Sequence, residues 1–255
     1  METNVIYNED CLETLKRLED IDVVLTSPPY NTSRKCGKLV NNSIRYETFN
    51  DSRSNEEYID WTIDIFNEID KALKKNGCIL YNMSYSAENT ELMWFVVTSI
   101  IQRTNFTIAD SIIWKKKSAV PNNRSANKLT RLCEFVFVFC RKSEFDTFGC
   151  YKEIESYCPS GQPNYKNYFN WIEAPNNDES CPIHKATYST MLCRKLLKLY
   201  SKEGDIVYDP FMGTGTTAIA CIREKRQYIG SELSDRYCEW ANKRITNESA
   251  QLSLF

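Results

Sequence analysis

Short apolar runs rich in β-branched and aromatic residues alternate along the chain with segments whose apolar residues recur every three or four positions. The runs Val5–Tyr7, Ile21–Thr26, Gly77–Asn82, Thr107–Trp114, Cys133–Arg141, Asp205–Asp209 and Gln227–Gly230 predict strands. Several are continuously apolar, as expected of strands covered on both faces. The clearest helix signal opens at Ser54, where a capping box to Glu57 precedes Trp61, Ile65, Ile69 and Leu73 on one face. A second helix is predicted from about Tyr188 to Tyr200, with Leu192, Leu196 and Leu199 as its stripe and Gly204 beyond its end. A third follows Gly215 and a fourth covers Asp235–Ile245. Strands alternating with helices predict an α/β fold with a mainly parallel sheet.

Residues 142–183 break this rhythm. They hold four of the eight prolines, with many Asn, Ser and aromatic residues and no clean period. We read them as a module inserted on the sheet rather than a separate domain, so that 1–255 forms one unit with 1–141 and 184–255 as its two halves. With 42% hydrophobic and 26% charged residues the composition is that of a soluble globular chain. The acidic first twenty residues do not read as a signal peptide, and no apolar run approaches the ~20 residues of a membrane span. Eleven cysteines without C-x-x-C pairing argue for free thiols in a reducing cytoplasm, not a disulfide framework.

A net charge of −2 does not announce a nucleic-acid binder, but local charge changes the picture. Between Ser111 and Lys142 eight basic residues face Glu134 alone, and between Asn31 and Tyr46 four basic residues face no acid. Such patches suit phosphates or simply solvent.

Two segments carry candidate chemistry. Asp209-Pro210-Phe211-Met212-Gly213-Thr214-Gly215-Thr216-Thr217 ends a predicted strand and opens a helix, and its paired glycines let the backbone turn tightly beside a ligand at a helix N-terminus. Glu232, at the end of the next strand, is placed to accept hydrogen bonds from ribose hydroxyls. Gly213-x-Gly215-x-x-Ala218 also fits a dinucleotide fingerprint, or a plain strand–helix turn, whereas the missing lysine excludes a P-loop. The second segment, Thr26-Ser27-Pro28-Pro29-Tyr30-Asn31, is stiffened by two prolines and presents a hydroxyl, the Pro28 carbonyl and an aromatic ring at a strand's carboxyl end. Alone it also reads as a rigid turn whose Tyr30 fills the core.

Together, Ser27-Pro28-Pro29-Tyr30 and Asp209-Pro210-Phe211-x-Gly213-x-Gly215 resemble the motifs of the DNA amino-methyltransferases. The catalytic motif precedes the cofactor motif, as in that family's permuted β class, and the likeness spans nearly the whole chain. It implies a Rossmann-like methyltransferase fold, a mixed and mostly parallel sheet with helices on both faces, and S-adenosylmethionine as cofactor. It also implies that Asp10, Asp209, Pro210, Phe211, Gly213, Gly215, Thr216 and Glu232 bind that cofactor, while Ser27, Pro28, Pro29 and Tyr30 serve catalysis. Asn8 and Glu9 stand where the family usually has Gly before the Asp10 position. Tyr228–Glu232 with Ala241 and Arg244 resembles the ribose-binding strand and following helix, and Ile113-Trp114-Lys115 and Glu134 also match familiar segments. His184-Lys185-Ala186-Thr187-Tyr188-Ser189 keeps the His of a His-Pro-x-x-x-Pro segment but lacks both prolines, which puts the local cofactor contacts in question.

The mechanism so implied is direct methyl transfer to an exocyclic amino nitrogen, its N–H groups held by Ser27 Oγ and the Pro28 carbonyl and the flipped base stacked on Tyr30. The resemblance further implies cytosine N4 over adenine N6, because a serine at the first motif position is commoner among the cytosine-N4 enzymes, although the chemistry is compatible with either amino group. No Pro-Cys pair of the carbon-5 enzymes occurs, and protein-glutamine methyltransferases place their Asn-Pro-Pro-Tyr after the cofactor motif. Double-stranded DNA is then the expected partner, held by Lys115, Lys116, Lys117, Arg124 and Arg131. The 142–183 insert is expected to read it, with some of its aromatics packed as a small core. A cognate restriction endonuclease and a homodimer are further expectations. The competing readings are a DNA-binding protein of the same fold without catalysis, a nicotinamide dehydrogenase, which leaves the Pro-Pro-Tyr segment unexplained, and a zinc site at Cys150, Cys158, Cys181 and His184. The last lacks paired ligand spacing, so no metal is expected.

Overall fold

The computed structural model describes residues 1–31, 53–86, 89–118, 126–127, 129–176, 178–179, 181, 183 and 188–252. In chain order these form β1 (Val5–Tyr7), α1 (Cys11–Leu15), β2 (Ile21–Thr26), α2 (Asn55–Ala72), β3 (Leu73–Met83), α3 (Leu92–Arg103), β4 (Phe106–Lys116) and β5 (Cys133–Arg141). There follow β6 (Ile154–Tyr157), β7 (Pro163–Tyr165), β8 (Trp171–Ala174), α4 (Thr190–Tyr200), β9 (Ile206–Asp209), α5 (Thr216–Arg223), β10 (Gln227–Ser231) and α6 (Asp235–Leu252). Eight strands make one sheet in the order β1-β10-β9-β2-β3-β5-β4-β8. Pairing is parallel from β1 through β3 and between β4 and β8, and antiparallel where β5 lies between β3 and β4.

Period-two alternation in the central strands sends side chains to two separate cores. Val24, Ile79, Tyr81, Phe137, Phe139 and Tyr208 pack with α1, α2 and α3 on one face. Val23, Leu25, Leu80, Val136, Val138 and Val207 pack with α4, α5 and α6 on the other. The predicted Ser54–Glu57 capping box is present, with both reciprocal bonds formed. Its apolar face ends sooner than expected: Ile65 and Ile69 are buried, but Leu73 lies past the helix and opens β3. On α4, Cys193 and Leu197 are buried beside Leu192 and Leu196, while Leu199 is only half-buried.

Helix α3 is the longest of the elements the hydrophobic pattern does not single out; the short α1, β6, β7 and β8 are the others. Its sequence is apolar on nearly every side and β-branched, which weakens both the period and the helix propensity. Tertiary packing decides it, burying Val96, Val97 and Ile100 while Trp94 and Phe95 stay exposed. The 142–183 insert is partly ordered into the sheet. Its β8 runs parallel to β4 as an edge strand, and β6 and β7 form a separate hairpin.

Gly230 marks where β10 meets the segment after β9. A Cβ there would fall 2.4 Å from Met212 Cε and 2.8 Å from Met212 Cβ. Overpacking of this kind costs about 1–3 kcal/mol. Gly230→Ala should therefore lower the urea midpoint and, by displacing Met212, weaken S-adenosylmethionine binding measured by titration calorimetry. Wild-type values in both would show that the contact is slack.

Candidate active site

Val23 and Val24 of β2 pair in parallel with Val207 and Tyr208 of β9, so Ser27 and Pro210 leave the sheet side by side although they are far apart in the chain. From this point the chain winds outward in two directions, from β9 to β10 on one side and from β2 to β3 on the other. Ligands of open α/β sheets bind at such a switch point, outside the carboxyl ends of the strands.

On the β9 side, Gly213 and Gly215 have φ of +53° and +86°, a left-handed backbone that side chains disfavour. Gly215 has a second reason to be glycine, since its Cβ would lie 3.1 Å from Ala241 Cβ on α6. Arg244, one turn further along α6, donates to the Thr214 carbonyl at 2.6 Å. Asp209 is fully buried. Its carboxylate accepts from Thr26 Oγ1 at 2.7 Å, Thr217 Oγ1 at 2.5 Å, the Phe211 N–H at 3.0 Å and Tyr188 Oη at 3.3 Å. Burial pushes its carboxyl up against the opposing pull of these bonds. Asp209 thus shapes the loop from beneath. Pro210 and Thr216 are buried with it and Phe211 is half-buried, its ring 5.3 Å from that of Trp61.

Glu232 follows β10 and accepts from the Gly213 N–H and the Ser234 N–H, both at 2.9 Å. Burial raises its carboxyl above the ordinary range despite those bonds. Asp10, after the neighbouring β1, caps α1 by accepting from the Leu12 N–H at 2.8 Å. A nucleoside cofactor fits this donor set: a glycine turn whose Gly213 would meet only Phe211 O, 3.9 Å away, beyond its Cβ, and carboxylates after two adjacent strands. Thr214 Oγ1, buried and without a partner among the described residues, adds an unused polar atom to the same turn.

On the β2 side, Pro28 and Pro29 are buried and the segment is held at both ends. Tyr58 Oη of α2 donates to the Pro29 carbonyl at 2.8 Å, and Asn31 exchanges two bonds with the Arg53 backbone. Ser27 Oγ lies 3.2 Å from Tyr30 Oη and accepts from Asn82 Nδ2 at 3.2 Å. Tyr30 Oη donates to Glu134 Oε2 at 3.0 Å, and Lys116 Nζ sits 2.5 Å from Glu134 Oε1. Spacing in the sequence does not join Asn82, Glu134 and Lys116 to the motif, because they come from β3, β5 and β4; for Glu134 the available signals were its likeness to a family segment and its being the single acid in the basic 111–142 stretch. Thr26, although adjacent to Ser27, takes no part in this network, because its hydroxyl is committed to Asp209.

The basic residues assigned to DNA separate into groups. Lys116 is turned inward onto Glu134, and Lys115 pairs with Glu173 at 2.9 Å with its ammonium over the Trp171 ring. Lys117 is exposed, Arg131 lies over the Tyr85 ring and bonds the Tyr85 carbonyl, and Arg124 lies outside the described residues. Cys150, Cys158 and Cys181 are free thiols, His184 is outside the described residues, and no group of metal-binding side chains occurs among the described ones.

The profile of a family described as DNA methylase, of the N6/N4 type, matches residues 21–243. This chain belongs to that family. A type II methyltransferase of Citrobacter freundii, M.Cfr9I, is 25% identical over 97% of the chain and 89% of its own length. M.HinfI of Haemophilus influenzae is 28% identical over 95% of the chain and 68% of its own. The DNA adenine methyltransferase YhdJ of Escherichia coli is 24% identical over 96% and 83%. Among solved structures, the cytosine-N4-specific PvuII DNA methyltransferase superposes with a TM-score of 0.72 at 20% identity, covering 97% of this chain and 92% of that one. A complex of M1.HpyAVI with S-adenosylmethionine gives 0.62 at 23% identity, covering 94% and 98%. The family's cofactor is S-adenosylmethionine, which supplies an electrophilic sulfonium methyl group when bound.

If Glu232 accepts the ribose hydroxyls, Glu232→Ala should weaken S-adenosylmethionine binding by about 1.5–3 kcal/mol. The sign of the pH dependence follows from the raised carboxyl: the ionised form is the stronger acceptor for both hydroxyls, and protonation turns one of its oxygens into a donor. Affinity should therefore fall on acidification, beginning above the ordinary carboxylate range, and Glu232→Gln should flatten that fall. Calorimetry at stepped pH checks it; identical profiles for wild type and Glu232→Gln would place the ribose elsewhere.

Proposed function

We propose that this DNA methyltransferase acts at a specific site in double-stranded DNA and transfers the methyl group to an exocyclic amino nitrogen, with cytosine N4 the favoured acceptor. The observation that carries amino-nitrogen transfer is the Ser27 hydroxyl at the head of the motif, held by Asn82 and Tyr30, while the preference for cytosine rests on the resemblance of a serine-headed motif to the cytosine-N4 enzymes. An amino lone pair is delocalised into its ring, so the nitrogen is a poor nucleophile. Hydrogen bonds from its N–H groups to Ser27 Oγ and the Pro28 carbonyl favour a pyramidal nitrogen with its lone pair free. Positioning then supplies most of the rate, and the base must leave the duplex to reach these atoms. Adenine N6 is the second reading, favoured by the likeness to YhdJ, a DNA adenine methyltransferase.

The 142–183 insert is the proposed sequence reader. A small internal core of its aromatics is not what forms: Phe145, Tyr157, Tyr165, Phe169 and Trp171 are exposed, and Phe148 instead stacks on Tyr200 of α4. Exposed rings and polar residues around the β6–β7 hairpin suit base edges and sugars. Lys117 and Arg131 are the cations proposed for phosphates, whereas Lys116 is engaged with Glu134 inside the site.

Replacing Ser27 and Tyr30 together by alanine should abolish methyl transfer while leaving S-adenosylmethionine binding intact. Turnover unchanged in that variant would overturn the assignment. For DNA, neutralising Lys117 or Arg131 should weaken binding to every sequence and reduce the salt slope by about one unit for each phosphate no longer neutralised. Changes at Asn164 or Tyr165 should instead alter the methylated sequence, read by long-read sequencing of DNA from expressing cells. An unaltered sequence together with an unaltered slope would move DNA recognition to another face.

A further inference from the structure

The amino-transfer reaction leaves a proton with no stated destination. As the nitrogen lone pair forms the new C–N bond, the C–S bond breaks and its electrons stay on sulfur. The nitrogen then carries one hydrogen too many and a positive charge. A serine hydroxyl or an amide carbonyl binds such a proton but does not keep it, so a base must stand behind Ser27.

We propose that Ser27, Tyr30 and Glu134 form a proton relay that removes the surplus amino proton, with Asn82 and Lys116 as positioning residues. It rests on the assignment of Ser27 to the base amino group. The nitrogen gives its proton to Ser27 Oγ, the Ser27 proton passes to Tyr30 Oη across 3.2 Å, and the Tyr30 proton passes to Glu134 Oε2 across 3.0 Å. The methylated base is left neutral and Glu134 becomes a carboxylic acid.

The direction of the relay is set by Asn82. Its Nδ2 lies within hydrogen-bond distance of Tyr30 Oη (2.7 Å), Glu134 Oε2 (3.1 Å) and Ser27 Oγ (3.2 Å), and its two N–H groups are shared among these three acceptors. As a donor toward both hydroxyls it takes up one lone pair on each, leaves the other to accept the incoming proton, and leaves each O–H to point onward, toward the carboxylate. The Asn82 carbonyl, 3.3 Å from Tyr30 Oη, is the more distant and the uncharged acceptor for the tyrosine proton. Lys116 bonds the other oxygen, Oε1, so Oε2 remains for Tyr30. The three acids on the cofactor side are engaged elsewhere, Asp10 by the Leu12 N–H, Asp209 by four donors and Glu232 by two backbone N–H groups. Among the described residues Glu134 is therefore the carboxylate connected to Ser27 through hydroxyls.

The test is single-turnover methyl transfer alongside equilibrium binding of S-adenosylmethionine and of a duplex containing the methylated site. Glu134→Gln keeps the size and an acceptor oxygen but takes no proton. Tyr30→Phe keeps the ring, cuts the relay and leaves the Lys116–Glu134 pair untouched, so it also serves if Glu134→Gln folds poorly. Each should slow transfer about 10²-fold or more with both affinities unchanged, and the double variant should be no slower than either single one. Wild-type rates in both variants would overturn the relay, as would effects that are additive or that track binding. Ser27→Ala separates the two levels: if it alone is inactive, the relay falls and the amino-group assignment stands, whereas an active Ser27→Ala removes both.

Discussion

Asp209 is a carboxylate with no exposed surface, and the two halves of the site meet on it. Through Thr26 Oγ1 it holds the end of β2, from which Ser27 follows directly; through Thr217 Oγ1 it holds the first turn of α5; through the Phe211 N–H it fixes the start of the glycine turn. Burying a charge this deeply is costly unless hydrogen bonds replace water, and four donors do so here. Removing any one of them leaves the buried carboxylate less well compensated, so the glycine turn and the Ser27–Tyr30 segment cannot drift apart independently. The arrangement works only because β2 and β9 are sheet neighbours, which the crossover topology provides.

What was legible in the sequence follows from the range of the interactions involved. Proline restriction, glycine turns, capping and strand alternation are local, and they located Ser27–Tyr30, Gly213–Gly215 and the Ser54 cap with their flanking elements. The resemblance of the paired motifs then carried the family. Less legible were the contacts made across the sheet. Thr26 and Tyr188 reach Asp209, and Glu134 reaches Tyr30, over separations of 183, 21 and 104 residues, for which no periodicity exists. The same limit explains Lys116. Charge counting groups it with Lys115 and Lys117, but strand alternation turns neighbouring side chains to opposite faces, and only the fold shows that Lys116 is the one facing Glu134.

The two sides of the site differ in character. The glycine turn is mostly backbone, shaped by φ values and by close approach of α6 at Ala241. The Ser27–Tyr30 segment is a side-chain network, in which the Ser27 and Tyr30 hydroxyls have defined partners. A turn built of backbone suits a cofactor common to many relatives, whereas the side proposed for the base depends on particular side-chain atoms.

The identity of the methylated nucleoside is the most direct test of amino-nitrogen transfer. Purified protein, unmethylated plasmid DNA and S-adenosylmethionine labelled in the methyl group are incubated, and the DNA is digested to nucleosides for chromatography and mass spectrometry. Label in N4-methyldeoxycytidine is the predicted result, and label in N6-methyldeoxyadenosine would keep the amino-nitrogen mechanism while changing the base. Label in 5-methyldeoxycytidine, or none in DNA, would contradict it.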